Sequence, residues 1–256
     1  MRFWLIAAVA FAAVLITASL GRWQLSRAAE KEDLQSTIDA RGRLPPIEGQ
    51  SLVAAVATPP GDPSLLPGSD PAFALLHRSV VLEGRWLPDH TVYLDNRQML
   101  GRPGFFVITP MALTRGGVVL VQRGWAPRNF QDRQQLPQIQ TAQGEVRIEG
   151  RVAHAPSRLF EFSGGDQVLG SSRIRQNLDL AAFRTETGLA LSPLTVLQTA
   201  APSEGLQRDW PVIGSGVEKH YGYAFQWFGL CGLIALLYVW FQIVRRFIRP
   251  RSQPAA

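Results

Sequence analysis

Two charge-free apolar stretches stand at opposite ends of a chain that is polar and strand-like between them. Phe3–Leu20 reads FWLIAAVAFAAVLITASL, and Tyr221–Val244 reads YGYAFQWFGLCGLIALLYVWFQIV. A bilayer core of about 30 Å requires roughly 20 apolar helical residues to cross it. The second stretch exceeds that length and the first lies at its lower edge. The pair predicts membrane helices over 1–22 and 219–244, holding one extramembrane domain between them. A cleaved secretory signal is the other reading of the first stretch, because it has a short basic start, an apolar run and small residues near its end. Retention is favoured: the run is long for a signal, and no clean A-x-A site precedes a mature start. The segment also continues straight into the helical pattern GRWQLSRAAEKEDL.

Flanking charge sets the orientation. Arg245, Arg246, Arg249 and Arg251 follow the second stretch with no acid among them. Arg22 and Arg27, past the first stretch, have Glu30 and Glu32 nearby. Cytoplasmic flanks carry an excess of Arg and Lys within about 15–20 residues of a helix end. Both termini, including the basic tail 245–256, are therefore expected in the cytoplasm, with the central domain on the other side. The same arginines explain the net charge of +6. With Arg2 they account for 5 of the 26 basic residues, which leaves 21–220 with 21 bases against 20 acids, a net of +1. A nucleic-acid binder concentrates positive charge on its folded domain, so no nucleic-acid role is expected. Cys231 is the only cysteine and lies inside the second apolar stretch. An intrachain disulfide is impossible. Thiol redox chemistry, thiolate copper delivery and covalent haem attachment all lack their C-x-x-C or C-x-x-C-H residues.

Between the membrane segments, 23–53 reads as a helical exit and connector, with the helix breaking at Gly42 and Pro45-Pro46. Residues 54–74 carry Pro59, Pro60, Pro63, Pro67 and Pro71, a density that no central strand or helix sustains. From there 75–215 reads as one β-rich domain. Short alternating runs lie at HRSVVLEGRWL, HTVYLDNRQM, FFVITPMAL, VVLVQRGWAP, EVRIEGRVA and SPLTVLQTA, and a helix is expected at LDLAAFRTET before Gly188. Hairpin-like succession of this kind predicts a mainly antiparallel, open β-barrel-like domain with one or two covering helices. Ala8 and Ala12 on the first membrane helix, and Gly229 and Gly232 on the second, offer small-residue faces for close helix approach.

Chemistry-bearing patterns are sparse. His77, His90, His154 and His220 show no metal-ligand spacing, and no nucleophile motif, P-loop or dinucleotide fingerprint occurs. No catalytic residue and no enzymatic activity are expected. His220 stands apart as the last polar residue before the second apolar run. Tyr223, Ala224 and Trp227 follow at i+3, i+4 and i+7, on one helical face. That face is compatible with two roles: an aromatic belt at headgroup depth, or an imidazole ligand to haem iron with aromatic side chains against the macrocycle. Arg97, Arg102, Arg123 and Arg128 fall at strand ends or turns. They suit solvated edge positions that discourage sheet-to-sheet pairing, or bidentate contacts to carboxylates of a ligand or partner.

Taken in order, LGRWQLSRAAEK at the first helix exit, LDNR, GRPGFFVITP, VLVQRGW and HYGYAFQWFGL resemble the surfeit locus protein 1 family, the assembly factors of cytochrome c oxidase. The resemblance covers the whole chain. It implies a bacterial inner-membrane protein whose central domain faces the periplasm, and a role in forming or inserting the haem a centre of the oxidase core subunit. The implied partners are that subunit, the membrane and the haem a synthesis machinery. The implied cofactor is haem a, held transiently, with His220 taking part in its binding; on the residue reading above, Tyr223 and Trp227 are expected to pack on the macrocycle, with Arg97 and Arg123 as partner or propionate contacts. A cofactor-free scaffold that stabilises an oxidase subunit during assembly is the alternative.

A reporter that is active only outside the cytoplasm should work when fused within 54–71 and fail when fused after Arg251. The opposite pattern would reverse the orientation drawn from the arginine cluster.

Overall fold

The computed structural model describes residues 2–54, 74–132, 135–159, 172–210 and 216–245. Most of the Pro-rich segment, Gly164-Gly165 and the basic tail past Arg245 lie outside these residues. The chain divides into two compact units, Met1–Thr37 with Val212–Ala256, and Ile38–Pro211.

The first unit is helical. Helix α1 (Arg2–Gly42) is one unbroken helix, in agreement with the expected exit helix that ends at Gly42. After helices α2 (Gly49–Ala54) and α3 (Leu180–Thr187) of the other unit, α4 (Val217–Tyr238) is preceded by Gly216 and continues into a π-helical stretch, Val239–Val244. Both helices are long and apolar enough to cross a membrane, over Phe3–Gly42 and Val217–Gln242. Their apolar side chains are largely uncovered by the chain itself; Trp4 is 76% and Phe225 79% exposed. Such surface is matched by lipid rather than water, and the protein is membrane-anchored.

The two helices run antiparallel to each other. Cys231 Sγ lies 3.7 Å from the Val14 carbonyl, and the Tyr221 hydroxyl donates to Glu32 Oε1 at 2.9 Å. Between these points the Phe228 ring rests on Gly21, where a Cβ would come within 2.8 Å of the ring. Ala28 and Ala224 are buried. The small-residue faces expected from sequence are displaced. Ala8 and Ala12 are exposed, and a Cβ at Gly229 or Gly232 would meet nothing within 4 Å. Only the stripe turned toward the neighbouring helix needs small side chains, and Gly21 lies on it.

The second unit is built on one mixed sheet. After the last turn of α1 come β1 (Ile47–Glu48), α2 (Gly49–Ala54), β2 (Ser79–Trp86), β3 (Val92–Met99), β4 (Arg102–Leu113), β5 (Val118–Pro127), β6 (Glu145–Ala153), β7 (Ile174–Arg175), α3 (Leu180–Thr187) and β8 (Leu191–Gln198). The strand order is β1-β2-β6-β8-β5-β4-β3-β7, and an additional β2–β4 pairing bends the sheet into a partial ring. This is the expected open-barrel architecture. Five of the eight pairings are antiparallel, and β1–β2, β3–β7 and β5–β8 are parallel. At the closure Gly84 faces Leu113, and a Cβ there would meet the Ala112 carbonyl oxygen at 2.1 Å. Only glycine lets the two backbones approach so closely.

The ring interior is filled by Val80, Leu82, Trp86, Met111, Val121 and Val196 among others, with Leu52 of α2 packed against them. Phe183 of α3 joins Leu94, Ile108 and Leu120 in a second cluster. Helix α3 is capped by Asp179, whose carboxylate accepts from the Ala182 N–H, and it ends at Gly188 in the left-handed region, as predicted. Strand β5 is buried along nearly its whole length, which its central place between β4 and β8 requires.

Strand β2 enters at His77, whose backbone lies in the left-handed region at φ 65° and whose N–H donates to the Val152 carbonyl at 2.9 Å. Arg41 reaches the neighbouring Leu76 carbonyl, and Ser79 the Gly42 carbonyl, so the end of α1 docks on the start of β2. Burial holds the His77 imidazole below the ordinary value of 6.5, and Arg151, Arg41 and His154 push it the same way. The unfolded chain therefore takes up this proton at higher pH than the folded one. The stability carried by neutral His77 is full above pH 6.5 and is lost as the pH falls from there through the lower folded value. His77→Asn keeps a residue tolerant of the left-handed backbone. It should flatten the decline of the thermal midpoint of the full chain on acidification; an unchanged decline would assign it to other groups.

Candidate functional site

The membrane-entry site is assembled from α1 and α4. His220 lies in the first turn of α4, and its Nδ1 is 2.7 Å from Oε1 of Gln24 on α1. With an amide oxygen as partner, Nδ1 carries the hydrogen and donates, and the lone pair stays on Nε2. That is the ring nitrogen which can bind a metal. His220 and Trp227 are half-buried, and Tyr223 is exposed. Ala224, which shares their helical face, is 2% exposed and is not open surface. The remaining aromatics flank a covered strip.

Donor chemistry decides what this site fits. Among the described residues no group of three His, Cys, Asp or Glu side chains could hold a metal ion. A bare ion therefore lacks a ligand set here. A haem brings four nitrogens of its own and asks the protein for one or two axial atoms, which a single oriented imidazole supplies. The other histidines lie elsewhere: His90 in a 3-10 turn at Pro88–His90, and His77 and His154 at the start of β2 and the end of β6.

The arginines of the sheet depart from the solvated-edge reading. Arg123 on β5 is 1% and Arg97 on β3 is 4% exposed. Arg123 donates to Thr141 Oγ1 at 2.8 Å, to the Gln140 carbonyl at 2.9 Å and to Glu204 Oε2 at 2.9 Å. Its guanidinium also stacks over Trp86, 4.6 Å from the ring centroid. Arg208 runs alongside. Its Nε donates to the Arg123 carbonyl at 2.7 Å and its Nη1 to Ser203 and to the Ala201 carbonyl, with Glu204 3.5 Å from Nη2. Arg97 reaches the Gln176 carbonyl, Ser157 and Asn177. Its own carbonyl accepts from Trp125 Nε1 at 2.9 Å. Burial lowers the pKa of Arg97 and of Arg208, and for Arg208 the Glu204 carboxylate opposes that shift. Arg128 pairs with Asp95 at 3.3 Å, while Arg102 is exposed.

These bonds tie β5 to the 140–141 and 201–208 loops and β3 to the 176–177 segment. Nε of Arg97 and Nε of Arg123 are buried without a hydrogen-bond partner among the described residues, as is Nε of Arg128. Arg123 also lines a cavity of about 310 Å³ with Tyr93, Thr141 and Arg173. Burial pushes the Tyr93 phenol up, against the pull of Arg173 and Arg123. Sequence reasoning missed Glu204, Arg208 and the role of Gln24. An Arg-Glu-Arg cluster drawn from loops far apart in the chain leaves no local spacing to find.

A membrane-anchored β domain with one oriented histidine at a helix entry is the class these features define. The profile of the SURF1 family matches residues 11–232. The chain is 23% identical to a SURF1-like protein of Rickettsia felis over 88% of its length and 91% of that protein. It is 24% identical to one of Rickettsia conorii over 96% and 94%, and 30% identical to one of Monosiga brevicollis over 56% and 53%. The protein belongs to the SURF1 family.

Removing the Arg123 charge should cost folding. Breaking a buried ion pair by deleting one partner typically costs about 3–5 kcal/mol. Arg123→Met should therefore lower the thermal midpoint and membrane abundance sharply, and adding Glu204→Gln should recover part of the loss. Full abundance in Arg123→Met would show that the guanidinium does not hold the loops.

Proposed function

We propose that the chain is an assembly factor for cytochrome c oxidase that holds haem a at the entry of its second membrane helix and presents it to the oxidase core subunit. The carrying observation is the His220–Gln24 hydrogen bond, which leaves Nε2 of His220 as the ligating nitrogen. When bound, haem a would supply the iron that this nitrogen ligates. The chain's own part is to bind and orient. His220 would hold the iron through Nε2, Tyr223 and Trp227 would offer aromatic surface beside it, and the α1–α4 contact at Gly21 and Phe228 sets the imidazole's height on the helix pair. No residue is assigned a catalytic step. The arginine cluster after α4 supports cytoplasmic termini, a periplasmic β domain and residence in the bacterial inner membrane. The haem a synthesis machinery and the core subunit are the partners of this reading.

A second reading, a scaffold that binds an oxidase subunit without cofactor, draws on the arginines. Arg97 and Arg123 direct most of their donors into their own domain, which leaves little for the propionates of a ligand.

Haem content per purified chain, with membrane abundance as control, separates the two. Wild type from cells that make haem a should carry a Soret band. His220→Ala should lose it while still inserting, because insertion depends on the apolar run that follows. Tyr223→Ala and Trp227→Ala should weaken it less, since packing on a macrocycle is shared and an axial bond is not. A colourless wild type would turn the assignment to the scaffold.

A further inference from the structure

We infer that Gln24 is the positioning residue of this site: by accepting a hydrogen bond from the Nδ1–H of His220 it selects the imidazole tautomer that keeps the Nε2 lone pair free for a metal. The inference rests on the haem reading for its purpose, and on geometry for its substance. The two side chains are 196 residues apart in sequence and 2.7 Å apart in space. A free histidine side chain in water favours the Nε2–H form, which has its lone pair on the wrong nitrogen for a ligand directed outward from the helix. A fixed acceptor at Nδ1 reverses that preference. Partners of this kind orient metal-binding histidines and raise their basicity, and removing one typically costs about 10–100-fold in affinity.

Three neighbouring contacts keep Gln24 in place. One turn before it, Gly21 receives the Phe228 ring. Two turns after it, Glu32 accepts from the Tyr221 hydroxyl. Nearer the N-terminus of α1, the Val14 carbonyl meets Cys231. The register of α1 on α4 is therefore set independently of Gln24, whose amide is left to serve the imidazole. The neighbouring Tyr221 hydroxyl is held by Glu32. A leucine at position 24 would keep the bulk and remove the acceptor, whereas a glutamate would keep an acceptor at the same reach.

The test uses the full chain in lipid nanodiscs with two readouts. In haem-free protein, nitrogen NMR of the His220 ring should show the Nδ1–H form in wild type and in Gln24→Glu, and a shift to Nε2–H in Gln24→Leu. In protein from cells that make haem a, Gln24→Leu should lose about 10–100-fold in haem affinity and Gln24→Glu should retain it. Tyr221→Phe, which removes a different hydrogen bond between the helices, should leave both readouts as in wild type. An Nε2–H ring in wild type, an unchanged tautomer and haem content in Gln24→Leu, or equal haem loss in Tyr221→Phe would each overturn the inference. If wild type binds no haem yet the tautomer still switches in Gln24→Leu, the haem reading falls and the positioning role stands.

Discussion

Two helices that bury almost none of their apolar side chains within the chain cannot stand in water, and the rest of the design answers to that constraint. Lipid covers Trp4, Phe11, Phe225 and Leu236 without competing for polar groups. In such surroundings helices gain nothing from hydrophobic attraction to each other, and association rests on close packing and on the few hydrogen bonds available. Gly21 supplies the first and receives Phe228. Gln24 and Glu32 supply the second, to His220 and Tyr221. The polar pair that orients the imidazole is thus brought together by a register that the Gly21–Phe228 and Tyr221–Glu32 contacts already set.

The β unit meets a comparable demand by other means. A guanidinium with 1% exposure keeps its charge only where partners surround it. Arg123 has Glu204, Thr141, the Gln140 carbonyl and the Trp86 face, and Arg208 closes the same network from the 201–208 loop. The neighbouring Trp125 is wholly buried and donates to the Arg97 carbonyl. The short run Arg123-Gly124-Trp125 thus fastens loops to a central strand. Its arginine directs most of its donors into its own domain.

Much of this fold was legible along the chain. Strands β5 and β6 fall on VVLVQRGWAP and EVRIEGRVA residue for residue, because hydrophobic runs bounded by turn residues report local backbone directly. The same holds for α1 ending at Gly42 and α3 ending before Gly188. Pairing was not legible. Nothing in SPLTVLQ says that it runs parallel to β5 on one side and antiparallel to β6 on the other, since strand direction is a property of the partner. The fate of Arg123 was hidden for the same reason: an arginine after an apolar run reads as a strand edge unless Glu204, 81 residues away, is known to come back to it. At the helix entry His220 was found by its place before an apolar run, but its partner was not, because Gln24 is unremarkable within a helical exit segment.

The place of β8 in the ring has a consequence for how the protein is made. Strands β2 to β5 follow one another in the chain and can meet as soon as they are synthesised, with Gly84 admitting the β2–β4 closure. The gap between β5 and β6 is filled only by Leu191–Gln198. Non-local pairing of this kind comes late, because its loop-closure entropy must be met first. The last strand of the ring is followed closely by Val217, where the second membrane helix begins. Completion of the β domain thus comes shortly before insertion of the second helix in biosynthesis. Until that moment the growing chain is tethered at one end, with an unclosed sheet, and the step that inserts its second anchor comes just after the one that seals its fold.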